Sequence, residues 1–508
     1  MLLRKYSDYL FELSPHSISQ TMDDLPSDSD DMVMEESYSS ELLTDRLSEL
    51  PDSLILSVLS LLPTRDVVRT AIVSKRWKHL WTTVPCLSFS DDAYYFCSFR
   101  NFVNQVLPRW KGSKISTFKI NFPSYGNYSP SSDVDSWVRF ATINEAEELD
   151  LNLMGTESVA LGENDPGYYA PECLYLCWSI KKLSLLGCNL KIDKENVHWN
   201  QLKSLRIDGV GVSEEAINQV LSGAPCLEVL ILRIMENFQN LNIQSTSLKK
   251  LTIEKCLLVP DEPAMDTMLR IWAPNLEILE FGGIPYIKCL LVNVSSLTDV
   301  TVGFYAIIHT DDSDFTWNLL LGKTLRNIFP TIRHVGKLTL SYWCLEVIGV
   351  MKKKYLLPSS YEVQFLRVNA DYLAVDEIIF LLKIFPKLKI LVIEAIDHYL
   401  HDISYQAFRE TLIAEEDYFL ELEESTPKSF RLILRTIEIT WPLFDSSIYV
   451  FIEFMLKHAD GLEKIVIQPK YRNGSVAHEF FFLGAAQKLM ALQRSFPSVE
   501  LILCDADK

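Results

Sequence analysis

The residue types that could carry out chemistry are present in this sequence, but not in a familiar catalytic spacing. Ten cysteines and nine histidines are spread over 508 residues. There is no G-x-S-x-G, H-E-x-x-H or G-x-x-x-x-G-K-[ST] segment and no C-x-x-C pair, the spacings that place a nucleophile, a zinc ion or a phosphate group. Adjacent acids such as Asp311–Asp312 and Glu415–Glu416 lack partner motifs, and we interpret them as solvated. The sequence predicts no enzyme activity, no metal site and no cofactor.

The backbone elements expected to position these side chains are predicted by a six-residue apolar pattern that recurs along the sequence. Segments with apolar residues at their first, fourth and sixth positions are ISTFKI (115–120), AEELDL (146–151), IKKLSL (180–185), LKSLRI (202–207), LEVLIL (227–232), LKKLTI (248–253), LEILEF (276–281), LTDVTV (297–302), VGKLTL (335–340), VQFLRV (363–368), LKILVI (388–393), LRTIEI (434–439) and LEKIVI (462–467). Such a series is typical of leucine-rich repeats, each contributing one parallel strand with one face in the core. We therefore predict an α/β solenoid, a leucine-rich-repeat horseshoe.

Local signals support short helices between some of these strands. In SEEAINQVLSGAPCLEVL, Ser213 is a predicted N-cap and Gly223 a predicted helix stop. Cys188 and Cys256 each follow the last strand position of a repeat by three residues. A cysteine there turns the chain and satisfies backbone groups in this repeat, so we favour a structural role over that of a nucleophile or metal ligand.

Charge is distributed unevenly along the chain. The net charge is −19 in total, −8 over residues 1–44, +2 over residues 45–90 and −13 over the remainder. The acidic, Ser-rich tail is predicted to be disordered. The overall charge argues against nucleic acid or an anionic membrane as the main partner. Without a signal peptide or a long apolar span, the expected location is the cytoplasm, the nucleus or both.

Residues 45–81, DRLSELPDSLILSVLSLLPTRDVVRTAIVSKRWKHLW, predict three short helices. Pro51 with Asp52 or Ser53 marks a helix start, and Thr64 is a predicted cap of the second helix. The apolar stripes are wider than so small a bundle can bury by itself. Two interpretations stay open from the pattern alone: a docking surface for another protein, or a helical cap on the solenoid.

The segment resembles an F-box, the adaptor-docking module of SCF-type ubiquitin ligases. The matching positions are Leu50-Pro51, Ile55, Leu59, Leu62-Pro63, Val67-Val68, Ala71, Val73, SKRW from Ser74 to Trp77, and Leu80-Trp81. With repeats following, the chain resembles the plant F-box/leucine-rich-repeat proteins, and residues 425–505 resemble the FBD region that often closes them. The expected organisation is a tail (1–44), an F-box (45–90), a solenoid (91–424) and an FBD region continuing it (425–508).

The resemblance implies a function without intrinsic catalysis. The chain would be the substrate-recognition subunit of an SCF-type E3 ligase, binding a Skp-type adaptor and, through it, cullin and RING subunits, while the repeats bind an unidentified protein target. The implied adaptor contacts are Leu50, Pro51, Ile55, Leu59, Leu62, Pro63, Val67, Val68, Ala71 and Trp77, some of which would also pack internally. The alternatives are a non-degradative interaction scaffold and a small-molecule-gated receptor.

Residues beside the inward-facing leucines of the repeats are expected on the concave face. Among them we single out Arg206, Asp208, Arg233, Lys250 and Glu254 as candidate target contacts. Their mixed charges suit a protein ligand better than nucleic acid.

Overall fold

A computed structural model describes most of the chain after the acidic tail. It describes residues 50–72, 76–91, 96–122, 131–154, 168–192, 197–209, 212–234, 240–255, 268–283, 288–304, 322–345, 348, 361–370, 375–395, 433–442, 447–470 and 478–504. The predicted tail (1–44), Cys256 and the acidic pairs at 311–312 and 415–416 lie outside these ranges. The chain divides into two compact units, Met1–Pro51 and Asp52–Lys508.

The second unit begins with the predicted helices. They are α1 (Asp52–Leu59), α2 (Thr64–Arg69) followed by a 3-10 turn (Thr70–Ile72), and α3 (Trp77–Leu80) followed by a 3-10 turn (Trp81–Thr83). Their buried apolar side chains are Ile55, Leu59, Val67, Trp77 and Trp81. The spacing of Ile55 and Leu59 is one helical turn, as the sequence pattern predicts.

Parallel strands follow the helical unit along the chain. In chain order they are β1 (Cys86–Ser90), β2 (Thr117–Asn121), β3 (Glu148–Asn152), β4 (Tyr168–Tyr169), β5 (Lys182–Leu186), β6 (Cys188–Asn189), β7 (Ser204–Gly209), β8 (Val229–Ile234), β9 (Asn240–Gln244), β10 (Lys250–Lys255), β11 (Met268–Trp272), β12 (Ile278–Gly283), β13 (Lys288–Val292), β14 (Asp299–Phe304), β15 (Lys337–Leu340), β16 (Phe365–Ala370), β17 (Ile390–Ala395), β18 (Thr436–Trp441), β19 (Lys464–Pro469) and β20 (Glu500–Leu503).

Fifteen of these strands form one sheet, and its order follows the chain. The order is β1-β2-β3-β5-β7-β8-β10-β12-β14-β15-β16-β17-β18-β19-β20, with every pair parallel. Sequential parallel pairing without reordering is the topology of a solenoid. The predicted α/β solenoid is therefore confirmed, and all thirteen predicted repeat strands belong to this sheet.

Each strand is positioned by its alternating pattern. In β5, Leu183 and Leu185 are buried while Lys182 and Ser184 face outward, because successive side chains of a strand point to opposite faces. The sheet also includes β1 and β20, which the repeat pattern did not mark. β1 lies within the predicted F-box range of 45–90, and β18, β19 and β20 lie within the predicted FBD range.

Return elements connect the strands of the main sheet. They include a second parallel sheet ordered β13-β11-β9 and the short pair β4-β6. The helices are α4 (Phe96–Val106), α5 (Ser131–Ile143), α6 (Glu172–Tyr175), α7 (Glu214–Gly223), α8 (Val375–Ile384), α9 (Ser447–His458) and α10 (His478–Ser495), with 3-10 turns at Leu107–Arg109 and Phe329–Ile332. The predicted cap of α7 is confirmed, since Ser213 Oγ accepts a hydrogen bond from the Ala216 amide at 3.2 Å.

Gly187 gives a direct test of the tight turn after β5. Its φ is +69°, and a Cβ at this position would lie 2.9 Å from the Met154 backbone nitrogen. An L-residue in this conformation costs roughly 1–2 kcal/mol, and the contact with backbone cannot relax by a side-chain rotation. We expect Gly187→Ala to lower the free energy of unfolding by at least about 1 kcal/mol, measured by urea titration. The control is Gly484→Ala, which meets nothing within 4 Å; equal effects would contradict the prediction.

Candidate functional site

The helical unit carries several large apolar side chains that are exposed to solvent. Leu61 is 84% exposed and Ile72 is 77% exposed, while Leu54 and Val58 are about half exposed. Leu54, Val58 and Leu61 are spaced by four and three residues, so they follow one side of α1 and its C-terminal turn. Large apolar side chains grouped on a surface in this way mark an interaction site.

The structure divides the ten predicted adaptor contacts into three groups. Ile55, Leu59, Val67 and Trp77 are buried within the chain. Pro51, Leu62 and Pro63 are exposed, and Leu50, Val68 and Ala71 are half-buried. Trp81, which was expected to pack internally, is buried.

Sequence reasoning missed four of the most accessible apolar side chains. Leu54, Val58, Leu61 and Ile72 are exposed but are not among the predicted contacts. The helical periodicity of α1 could have indicated them. Leu54 and Val58 each lie one position before a buried residue, Ile55 or Leu59, and one position turns a side chain about 100° around the helix axis. A partner binding here would reach Leu54 and Val58 before it reached those buried residues.

An ion pair ties the start of the helical unit to its third helix. Arg76 Nε donates a hydrogen bond to Asp52 Oδ1 at 2.7 Å, and a second guanidinium nitrogen contacts the same oxygen. Both side chains are largely exposed, so we expect this pair to contribute under about 1 kcal/mol. Its main effect is to fix the orientation of α1 relative to α3, because it links two residues that are 24 positions apart in sequence.

The helical unit is joined directly to the first strands of the solenoid. Thr64 Oγ1 accepts a hydrogen bond from the Ser88 amide of β1 at 2.7 Å. The Lys111 amide donates to the Thr82 carbonyl at 2.7 Å, and Trp110 Nε1 donates to the Val84 carbonyl at 2.8 Å. The prediction that Thr64 caps α2 was wrong, because α2 has no side-chain cap and the hydroxyl is used to hold β1 instead.

These contacts bear on the two interpretations left open by the sequence. One side of the helical unit closes the N-terminal end of the solenoid, as a cap would. The apolar side chains of Leu61 and Ile72 stay accessible to solvent. The same short segment therefore packs on the solenoid and also keeps large apolar side chains exposed.

The five candidate target contacts come together on three neighbouring strands. The register pairs Asp208 of β7 with Arg233 of β8, and Arg233 with Glu254 of β10. Arg206 lies two residues before Asp208 on β7, and Lys250 lies four residues before Glu254 on β10. All five side chains lie on one side of the main sheet, because they alternate with buried leucines and isoleucines. This is the side that the leucine-rich-repeat resemblance implies is concave, and it is called the concave face below.

Most of the charge in this group is neutralised within the chain. The Arg233 guanidinium lies 2.7 Å from Glu254 and 3.6 Å from Asp208, and Arg206 lies 3.5 Å from Asp208. Lys250 Nζ and Thr252 Oγ1 each donate to Glu280 at 2.7 Å. Partial burial acts to raise the Glu280 pKa, but these two hydrogen bonds outweigh it and hold the pKa below its ordinary value. The group forms an ordered polar surface that would suit a protein ligand with its own mixed charges.

Three of the described cysteines, Cys188, Cys289 and Cys344, show the features of structural thiols. Cys188 is fully buried, and burial raises the pKa of its thiol far above the ordinary value. Burial also raises the pKa of Cys289 to about 12 and that of Cys344 to about 11. Such thiols stay protonated near neutral pH and are poor nucleophiles and metal ligands, which agrees with the structural role predicted for Cys188.

Neither a metal-ligand cluster nor a membrane-spanning helix is present among the described residues. They contain no group of three or more His, Cys, Asp or Glu side chains placed to hold a metal ion. Within the same ranges, no helix combines the length and apolar character needed to cross a membrane.

Comparison with known proteins gives one match over the helical unit and one over part of the solenoid. Residues 47–89 match the F-box domain family, and residues 134–281 match the leucine-rich repeats of the FBD-associated F-box protein At5g56370. The F-box/LRR-repeat protein At3g03360 of Arabidopsis thaliana is 29% identical over 60% of this chain and 61% of its own length. The putative F-box/LRR-repeat protein At5g02930 of the same plant is 28% identical over 61% of this chain and 63% of its own length.

A third relative covers more of the sequence. The FBD-associated F-box protein At5g56370 of Arabidopsis thaliana is 26% identical over 84% of this chain and 90% of its own length. The chain spans less than two thirds of the first two relatives and nearly all of the third. In its matched domains, their order and the solenoid that carries the repeats, this chain is similar to the plant F-box/leucine-rich-repeat proteins, including one associated with an FBD region.

Proposed function

We propose that this chain is a substrate-recognition subunit of an SCF-type E3 ubiquitin ligase. The observation that carries the proposal is the set of exposed apolar side chains on α1 and on the turns that follow α1 and α2, within an F-box match. A surface bearing Leu54, Val58, Leu61, Leu62 and Ile72 costs free energy in water. A Skp-type adaptor would cover it, and cullin and RING subunits would join through that adaptor.

The solenoid would hold the protein target. Its concave surface at Arg206, Asp208, Arg233, Lys250 and Glu254 spans adjacent strands and has its charges fixed by cross-strand pairs. Such fixed charges favour specificity, because a ligand whose charges do not match their positions is repelled. The chemistry would belong to other subunits, and this chain would raise the effective concentration of target lysines near the conjugating enzyme. We place this activity in the cytoplasm, the nucleus or both.

Titration with a Skp-type adaptor tests the proposal. We expect Leu61→Ala/Ile72→Ala to weaken adaptor binding by about 2–4 kcal/mol, roughly 30-fold or more, because both side chains are exposed in the free chain and would be anchors in the complex. The matched control is Leu483→Ala/Met490→Ala, where both residues are equally apolar and exposed but lie on α10. Binding assays would use calorimetry with the full chain.

Three outcomes would count against the proposal. A folded wild-type chain that binds no adaptor paralogue would make the helical unit a cap alone. Equal losses in both double variants would show that the predicted face is not the adaptor site. If adaptor binds but target half-life is unchanged on removal of the chain, the role is that of a non-degradative scaffold.

A further inference from the structure

The last strand of the main sheet has a free side in the sheet order. β20 follows β19 at the end of that order, and the amides of Glu500 and Cys504 donate to carbonyls on the β19 side at 2.9 Å. Successive backbone groups of a strand point to opposite sides within the sheet, so the Leu501 amide and the Val499 carbonyl point away from β19. We call this side of β20 the C-terminal edge. Open edges of this kind are templates for pairing with another chain.

A side chain of α10 lies along the C-terminal edge. Gln493 Nε2 donates a hydrogen bond to the Val499 carbonyl at 2.7 Å, and Gln493 Oε1 accepts one from the Leu501 amide at 2.8 Å. A residue of a further parallel strand would make the same two bonds, donating to one residue and accepting from the residue two positions later. The carboxamide of Gln493 therefore takes the place that a peptide group of the next strand would take.

The end of the solenoid would otherwise suit an additional strand. Ile465 and Ile467 of β19 are buried, whereas Leu501 and Leu503, which pair with them in β20, are half-buried. Phe496, which follows α10, is half-buried as well. Backbone groups at an edge combined with partly exposed apolar side chains favour edge-to-edge association, which is why terminal repeats of solenoids need a cap.

The opposite edge of the main sheet is covered in a comparable way. β1 is the first strand in the sheet order, and its Ser88 amide donates to Thr64 Oγ1 at 2.7 Å. Thr64 is 1% exposed, so another chain cannot reach this position without displacing the helical unit. Copies of the chain could therefore not stack head to tail through β1. They would have to meet through β20 of both copies, in antiparallel direction around a two-fold axis.

We infer that Gln493 closes the C-terminal edge, and that a second copy of this chain pairs with β20 once the carboxamide is removed. A carboxamide suits this position because it offers both a donor and an acceptor, whereas a methionine of similar length cannot donate. This role of Gln493 does not depend on the ligase role proposed above, because β20 and the F-box helices lie at opposite ends of the sheet order.

Sedimentation velocity of the full chain over a range of concentrations tests the inference. We expect Gln493→Met to shift the monomer–dimer equilibrium toward the dimer by about tenfold or more relative to the wild type, because the edge groups of both copies become available. Gln493→Asn should do the same without adding an apolar side chain, since its carboxamide is one methylene short of the edge. The matched control is Gln487→Met, the same change at an exposed position of α10, which should leave the equilibrium unchanged.

Hydrogen exchange and a further substitution locate the contact. In dilute monomer, loss of its acceptor should raise the exchange rate of the Leu501 amide roughly tenfold in Gln493→Met. Adding Leu501→Pro to Gln493→Met should restore the monomer, because proline removes an edge N–H that β19 does not use. Thermal melting and adaptor binding would be measured for every variant.

The outcomes separate this inference from the ligase role. Equal self-association of Gln493→Met and Gln487→Met would overturn it, as would a dimer that persists after Leu501→Pro. A wild-type chain that dimerises as strongly as Gln493→Met would also overturn it. Dimerisation confined to the two Gln493 variants and reversed by Leu501→Pro, with unchanged adaptor binding, supports it. A chain that behaves in this way but binds no adaptor would retain this inference and overturn the ligase proposal.

Discussion

Replacing Leu59 with alanine should destabilise the helical unit strongly, whereas the same change at Leu61 should leave its stability unchanged. Leu59 is fully buried and Leu61 is 84% exposed, although they are two residues apart. Truncating a buried leucine costs roughly 2–5 kcal/mol through lost burial and the cavity that remains. An exposed truncation stays within about 0.5 kcal/mol.

Hydrogen exchange of residues 52–83 is the suitable measurement, because it reports the local opening free energy of this unit within a long chain. Adaptor titration of the same two variants gives the complementary result. Leu61→Ala should weaken adaptor binding directly, and Leu59→Ala should do so only as far as it unfolds the unit. Equal loss of protection in both variants would mean that Leu61 is covered within the free chain, and the assignment of Leu61 to an exposed apolar surface would be wrong.

Replacing Trp137 with alanine should have the largest effect on the first repeats. Trp137 is buried on α5, and its ring lies 6.0 Å from the rings of Phe99 and Phe122, which stack on each other at 4.8 Å. Its Nε1 donates to Asn104 Oδ1 at 2.7 Å. Losing this ring should cost roughly 3–5 kcal/mol, with a further penalty from the unpaired Asn104 oxygen.

The matched control is Trp178→Ala, because Trp178 is exposed and its truncation removes the same atoms without leaving a cavity. Urea unfolding followed by circular dichroism would compare the two variants with the wild type. Residues of the first repeats contact the helical unit: Ser88 of β1 binds Thr64, and Arg65 lies over the ring of Phe102 on α4 at 5.7 Å. Trp137→Ala should therefore also weaken adaptor binding, and a stable variant with normal adaptor binding would contradict this coupling.

The sequence was sufficient to predict the repeating strands because their signal is local. Each repeat strand buries two alternate residues, such as Leu183 and Leu185, and that alternation is visible within six letters. The cap at Ser213 was predictable for the same reason, since the hydroxyl and the Ala216 amide that it binds lie three residues apart. The Leu-Pro pairs and the basic segment before Trp77 likewise supported the F-box resemblance without any long-range contact.

The features that the sequence did not predict depend on contacts between residues far apart in the chain. Neither the use of Thr64 to hold β1 nor the division between Leu59 and Leu61 follows from residue type, because both depend on which side of a small helix meets the solenoid. The return strands β9, β11 and β13 have weak individual patterns and gain their register from stacking of successive repeats. The charge network of Asp208, Arg233 and Glu254 exists only after strands more than twenty residues apart in sequence become neighbours, so tertiary structure alone determined which side chains share a surface.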